Sequence, residues 1–202
     1  MRKHLLIVLL ILIFAALPAF SAEYYYEKGD TAFTFGVGVD FPVFMGFVNN
    51  GTLGFETGVK GTHTYIGGYG LLSYESFITR NLAIGGEIGY AFNNSYAMKI
   101  LTTIPITAKL SYYPVQTGKF DLILHANAGI TVLRYDSNRF LAPHIKLSVN
   151  PVYYITDSWG VGLDAGLWAN YEHYSSSASG SKSTESAFGV FAPLTISLIY
   201  RH

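Results

Sequence analysis

From residue 82 to residue 92 the even positions carry Leu82, Ile84, Ile88, Tyr90 and Phe92, with Gly86 the single gap, while the odd positions carry Ala83, Gly85, Glu87, Gly89 and Ala91. Side chains that change character at every step lie on opposite faces of a β-strand, here one large and apolar, the other small or charged. The same alternation predicts strands at 31–41, 97–113, 120–135, 143–155, 159–171 and 187–200, and a less regular one at 63–76. In the first, Phe33, Phe35, Val37, Val39 and Phe41 oppose Ala32, Thr34, Gly36, Gly38 and Asp40. In the least regular, Ile66, Leu72 and Tyr74 oppose His63, Ser73 and Glu75, but Tyr65, Tyr69 and Leu71 fall on the polar side and leave its phase open.

The connections between these eight strands alternate in length. One set covers 42–62, 93–96, 136–142 and 172–186; the other covers 77–81, 114–119 and 156–158. The two longest fall on one side, as expected of a membrane barrel with short periplasmic turns and longer outside loops. An internal repeat, offset by 77, matches the run 78–89 to the run 155–166 and sets Glu87 in correspondence with Asp164. Both acids are expected to enter the lumen from opposite walls at one height. Duplication and convergent turn chemistry account for the repeat equally well.

Ahead of the strands, Arg2, Lys3 and His4 precede an apolar run over 5–17, followed by Pro18, Ala19, Phe20, Ser21 and Ala22. A charged start, a short apolar segment and small residues at the cut describe a secretory signal. The 13-residue run is shorter than the ~20 residues a helix needs to span a bilayer. Residues 1–22 are therefore read as a signal peptide, cut after Ser21 or Ala22, and 23–202 as one barrel domain. With no cysteine in the chain, lipid acylation, disulfides and thiolate metal sites are excluded.

Composition decides what surrounds the barrel. Charged residues are 13% of the chain against about 25% in a typical soluble domain, and aromatics reach 16%. A soluble lipocalin-like barrel would carry its charge on the polar phase, whereas that phase is mostly Gly, Ala, Ser, Thr and Asn. Small polar residues suit a narrow lumen. The apolar phase gathers aromatics near both strand ends: Tyr74, Tyr112, Phe120, Tyr153, Trp159 and Tyr200 at one, Phe41, Tyr90, Phe92, Tyr171 and Phe188 at the other. Two aromatic girdles at bilayer interfaces give this pattern. The fold class is thus all-β, an eight-stranded antiparallel up-and-down transmembrane β-barrel. Without Arg2 and Lys3, 11 basic residues face 13 acidic ones, which leaves no basic field for nucleic acid.

The segment 74–82 with Gly85, Glu87 and Gly89, the Ile104-Pro105-Ile106 run leading to Tyr112 and Tyr113, and the closing run 194–200 resemble small eight-stranded outer-membrane proteins. The OmpX and OmpW type is nearest, including spirochaete members. The resemblance covers the whole mature chain and implies residence in the bacterial outer membrane and passage of a small apolar solute that leaves sideways. It also implies that the barrel-assembly machinery reads an aromatic at the end of the last strand, although this chain continues past Tyr200 with Arg201 and His202.

The polar phase brings Asp40, Glu75, Glu87, Asp121 and Asp164 toward Lys99, Lys109, Lys146, His125 and His144. An eight-stranded barrel is filled by its own side chains, and unpaired buried charge is costly. A charge network of Glu75, Glu87, Lys109, His125, Lys146 and Asp164 plugging the lumen is one expectation; a narrow polar path or a lateral route for small solutes is another. Phe44, Met45, Phe47 and Phe55 in the first outside loop mark a partner surface, a lid, or an extension of the first strands, and His173 lies in the fourth. Catalysis on lipid would need a nucleophile and base near the outer rim, and His144 or His173 with 175–177 supplies those atom types without a rigid orienting partner. No catalytic residue, metal site or cofactor is expected. The expected partners are outer-membrane lipids, the assembly machinery and an unidentified extracellular ligand or host surface.

Overall fold

The computed structural model describes residues 26–49, 52–96, 98–135, 138–176 and 183–202; the predicted signal peptide lies outside them. Nine strands and one short helix follow in order: β1 (Thr31–Asn49), β2 (Thr52–Thr57), α1 (Gly58–Thr62), β3 (Gly67–Thr79), β4 (Leu82–Asn94), β5 (Ile100–Gln116), β6 (Phe120–Tyr135), β7 (Asn138–Tyr154), β8 (Trp159–Ser176) and β9 (Ser183–Arg201). Each of β3 to β8 pairs antiparallel with the next, and β1 closes the ring between β3 and β9. Eight strands make the wall. The ninth, β2, pairs only with the outer part of β1, from Phe44 against Thr57 to Asn49 against Thr52.

Direct register partners trace the closure. Starting at Ala32, they run through Glu75, Gly85, Lys109, Asn127, Lys146, Trp168 and Phe191, and return to β1 at Pro42. One circuit climbs from residue 32 to residue 42, the stagger that a tilted barrel needs to close. Backbone groups that would be exposed at sheet edges are thereby paired, as a lipid setting demands.

Burial follows the alternation. In β4, Ala83, Glu87, Gly89, Ala91 and Asn93 are buried while Ile84, Ile88, Tyr90 and Phe92 are exposed. The exterior is an apolar belt and the polar phase is inside, opposite to a soluble barrel. In the irregular segment, Leu72 and Tyr74 face outward, and Tyr69 and Leu71 face inward with Ser73 and Glu75.

Three expectations are corrected. Lys99 is exposed outside the lumen, because the chain turns at Met98 (φ 59°), Ser95 and Lys99 bond across that turn, and β5 begins only at Ile100. The third and fourth outside connections are shorter than 136–142 and 172–186, since β7 starts at Asn138, β8 runs to Ser176 and β9 starts at Ser183. The first is strand and helix over most of its length. Strands continue above the apolar belt because ladder hydrogen bonds persist where no lipid imposes an alternation.

Closure is tightest where a glycine faces a neighbouring backbone. A Cβ on Gly38 would lie 2.0 Å from the Leu194 carbonyl oxygen in the closing seam, whereas one on Gly70 would meet nothing nearer than 3.6 Å. Gly38→Ala is expected to cost about 1–3 kcal/mol by overpacking, and Gly70→Ala to stay within about 0.5 kcal/mol. Urea titration of heat-modifiable migration measures both; equal shifts would contradict the seam geometry.

Candidate functional site

The inward residues of β3 read, from the outer end, Tyr69, Leu71, Ser73, Glu75 and Phe77. Apolar, polar and apolar layers follow one another on a single strand. β9 repeats the order with Phe191, then Thr195 and Ser197, then Ile199. The outer layer packs Tyr69, Leu71, Ala91, Trp168 and Phe191, with Met45 and Leu101 against it. Trp168 and Phe191 stack with centroids 4.2 Å apart, and the Trp168 indole N–H donates to Asp40 Oδ1 at 3.2 Å.

The middle layer holds the charges. Lys146 Nζ donates to Glu87 Oε1 at 2.5 Å and lies 3.8 Å from Asp164 Oδ2. The two acids of the internal repeat thus converge on one lysine. Lys109 instead pairs with Glu75, 3.5 Å away, and donates to Ser73 Oγ at 3.0 Å. Glu75 also accepts from Ser111 and, at 2.5 Å, from Tyr113 Oη. His125 Nδ1 meets Ser111 Oγ at 2.8 Å. All six sequence-predicted charge-network residues are buried, in two sub-clusters: Glu87, Lys146 and Asp164, and Glu75, Lys109 and, through Ser111, His125. His144 pairs with Asn170 Oδ1 at 2.6 Å and sits beside Trp168.

The lower layer packs Tyr26, Phe77, Tyr113, Ile123, Tyr154 and Ile199 at the other end of the lumen, and sequence reasoning missed most of it. Tyr26, preceding β1, is buried and stacks on Phe77 at 3.8 Å. Its hydroxyl donates to Asp121 Oδ2 at 2.7 Å and meets Tyr154 Oη at 2.9 Å. Burial pushes the Tyr26 hydroxyl pKa well above its ordinary value, so it keeps its proton as a donor. Arg201 turns inward: its guanidinium lies 3.5 Å from the Tyr154 ring, 3.7 Å from Asp121, and donates to the carbonyls of Asp157 and Gly118. Strand parity held the signal for these residues. Tyr113 shares the phase of Lys109, Tyr154 that of Lys146, Trp168 that of Asp164, and Phe191 and Arg201 that of Thr195.

At the outer rim, Phe44 and Phe55 stack 5.3 Å apart and Phe188 packs on both, on the outward side of the β1–β2 hairpin. Met45 points inward. Phe47 lies in β1 opposite Gly54, and His173 in β8 opposite Ser186; their side chains lie outside the described residues. Of the girdle residues, Tyr74, Tyr90, Phe92, Tyr112, Tyr153, Trp159 and Tyr171 are exposed, while Phe120, Phe188 and Tyr200 are half-buried. Among the described residues no cluster of three or more metal-ligating side chains occurs.

A protein-family model matches residues 18–200. The chain is 27% identical over 132 residues to an uncharacterised protein of Borreliella burgdorferi, covering 55% of this chain and 62% of that one. It is 26% identical over 98 residues to an uncharacterised protein of Treponema pallidum, covering 48% and 44%. The chain therefore spans between two fifths and two thirds of the length of these curated relatives. Among solved structures, the outer membrane protein OprG from Pseudomonas aeruginosa superposes with a TM-score of 0.52 at 11% identity, covering 87% of this chain and 97% of OprG. The outer membrane protein AlkL in lipid bilayers gives 0.50 at 14% identity, covering 90% and 94%. The shared feature is the fold, a small outer-membrane barrel, and its apolar exterior matches an outer-membrane location.

Because Lys146 serves two acids, its loss is the most damaging change in the middle layer. Lys146→Met strands Glu87 and Asp164 and is expected to lower unfolding free energy by about 3–5 kcal/mol. Glu87→Gln leaves Lys146 with Asp164 and costs less; Asp164→Asn costs least. Urea unfolding from lipid vesicles, followed by tryptophan fluorescence, gives the ranking, and any other order contradicts this division of charge.

Proposed function

Because the chain belongs to the family whose model covers residues 18–200 and has the fold of outer-membrane barrels, we propose that it serves the outer membrane as a sealed barrel with a structural or surface-interaction role. The layered lumen carries this reading. An ion or polar solute needs a hydrated path, and here the charged layer lies between Trp168 with Phe191 on one side and Tyr26 with Phe77 on the other. Pairing the charges in that closed interior offsets the cost of burying them.

The same reading assigns a partner to each surface. Outer-membrane lipids meet the apolar belt, and the assembly machinery meets the last strand, where Tyr200 packs outward against Trp159. An extracellular ligand or host surface would meet the rim around Phe44, Phe55 and Phe188. Glu75, Ser111 and His125 supply a triad's residue types in the lumen, but not in a triad's order. Ser111 stands between the acid and the imidazole, whereas a triad places the imidazole between the serine and the acid.

One observation favours a second reading, a lateral route for small apolar solutes. The β4–β5 ladder skips from Ile88 with Ile106 to Ala91 with Thr103 around Pro105, and the β8–β9 ladder skips from Ala165 with Leu194 to Trp168 with Phe191 around Pro193. The β7–β8 ladder likewise skips from Val149 with Ala165 to Val152 with Gly162 around Pro151; proline has no N–H to donate, so each of these ladders loses bonds there.

In a planar bilayer the purified wild type is expected to show no discrete conductance steps. Lys109→Met is expected to reduce stability and leave the bilayer equally silent. Reproducible unitary steps from the wild type would overturn the sealed-barrel reading.

A further inference from the structure

On the outer surface, register aligns Phe92, Thr102, Arg134 and Arg139 as neighbours across β4 to β7. These positions belong to the lipid-facing phase, alternating with inward Asn93, Thr103 and Leu133. Arg134 and Arg139 are both exposed, stand directly opposite each other, and have no ion-pair partner among the described residues. Like charges directly opposite on one face repel and destabilise a sheet. In a chain with so little charge, such a pair at the end of the apolar belt calls for an anion. The next row inward is Val132 opposite Leu141, and the one after is Ile130 opposite Pro143.

We infer that Arg134 and Arg139 form a site for the phosphate headgroup of an anionic membrane lipid, with its acyl chains lying on Ile130, Val132 and Leu141. Directly opposed side chains have Cβ atoms about 5 Å apart, a spacing from which two guanidinium forks converge on one phosphate. Guanidinium matches phosphate oxygens bidentately, and the half-buried Thr102 adjoins Arg134 with a hydroxyl able to donate a further bond. A single bound anion turns the like-charge repulsion into attraction. The apolar rows beside the pair favour a lipid over a free phosphate, because a headgroup held there brings its chains onto surface already facing lipid. The site lies outside the barrel and is independent of whether the lumen conducts.

The test uses full-length protein in phosphatidylcholine nanodiscs containing phosphatidic acid, delipidated stepwise in a native mass spectrometer. Wild type is expected to retain phosphatidic acid over phosphatidylcholine by about tenfold, equivalent to ~1.4 kcal/mol. R134Q/R139Q should bring that ratio near one while keeping heat-modifiable migration, and R80Q, on the opposite rim, should leave it unchanged. An unchanged ratio in R134Q/R139Q overturns the site. So does displacement of phosphatidic acid by inorganic phosphate alone, which would assign a free-anion site. A wild-type ratio near one that D136N alone raises would assign the arginines to Asp136, two residues after Arg134 in the chain, and equally overturn it.

Discussion

The closing stagger between β1 and β9 is the constraint on which the rest of the molecule depends. A membrane barrel must pair its edge strands, and an eight-stranded wall closes only when its strands tilt. The climb from Ala32 to Pro42 in one circuit places Glu75, Lys109, Lys146, Trp168 and Phe191 on one continuous row of direct partners. A different stagger would keep every residue on its face and change every cross-lumen meeting. Glu87 meets Lys146 across the lumen because of the tilt, whereas Lys109 reaches Glu75 over Gly85, the direct ladder partner of both.

Inside that wall, electrostatics and packing divide the work. Buried ion pairs seldom add much net stability, but removing one partner leaves a costly uncompensated charge. The middle layer therefore acts chiefly as a constraint: its two lysines and three acids fit this interior in few ways. The apolar layers above and below supply burial, and a low local dielectric strengthens the interactions between them. Arg201 and Tyr26 extend this logic to the end of the lumen beside the last residues of β9. The residue after the last outward aromatic folds inward, so the end of β9 presents Tyr200 to the exterior and a cation to Asp121.

The wall was legible in the sequence because lipid imposes a strict alternation. β4 shows it in full, and Glu87, Asp164, Lys109 and Lys146 could be assigned to the lumen from parity alone. Legibility ended where that pressure ends. Beyond the apolar belt no lipid imposes an alternation, so the sequences of the outer parts of β1, β8 and β9 resemble loop. Lys99 shares the parity of Thr103, but the turn at Met98 lies between it and the ladder. Large inward residues were obscured for a different reason: Tyr69, Leu71, Trp168 and Phe191 are apolar residues on the polar phase. They blur the pattern at the layer where large side chains pack across the lumen. Pairings across the lumen were beyond any strand-by-strand reading, because they depend on stagger.

This last point bears on how the barrel relates to the membrane. An apolar residue on the inner phase and a charged residue on the outer phase are the two departures from the alternation, and they fall at different levels. The inward aromatics and Tyr26 flank the ion pairs, where water must be kept away. The outward arginines of β6 and β7 stand where the apolar belt ends and a headgroup region begins. Burial and lipid contact explain the regular positions; the exceptions mark where the environment changes along the barrel axis. A substitution that restored perfect alternation at Trp168 would open the outer layer, and one that did so at Arg134 would remove a charge from the level at which polar chemistry first becomes affordable outside the wall.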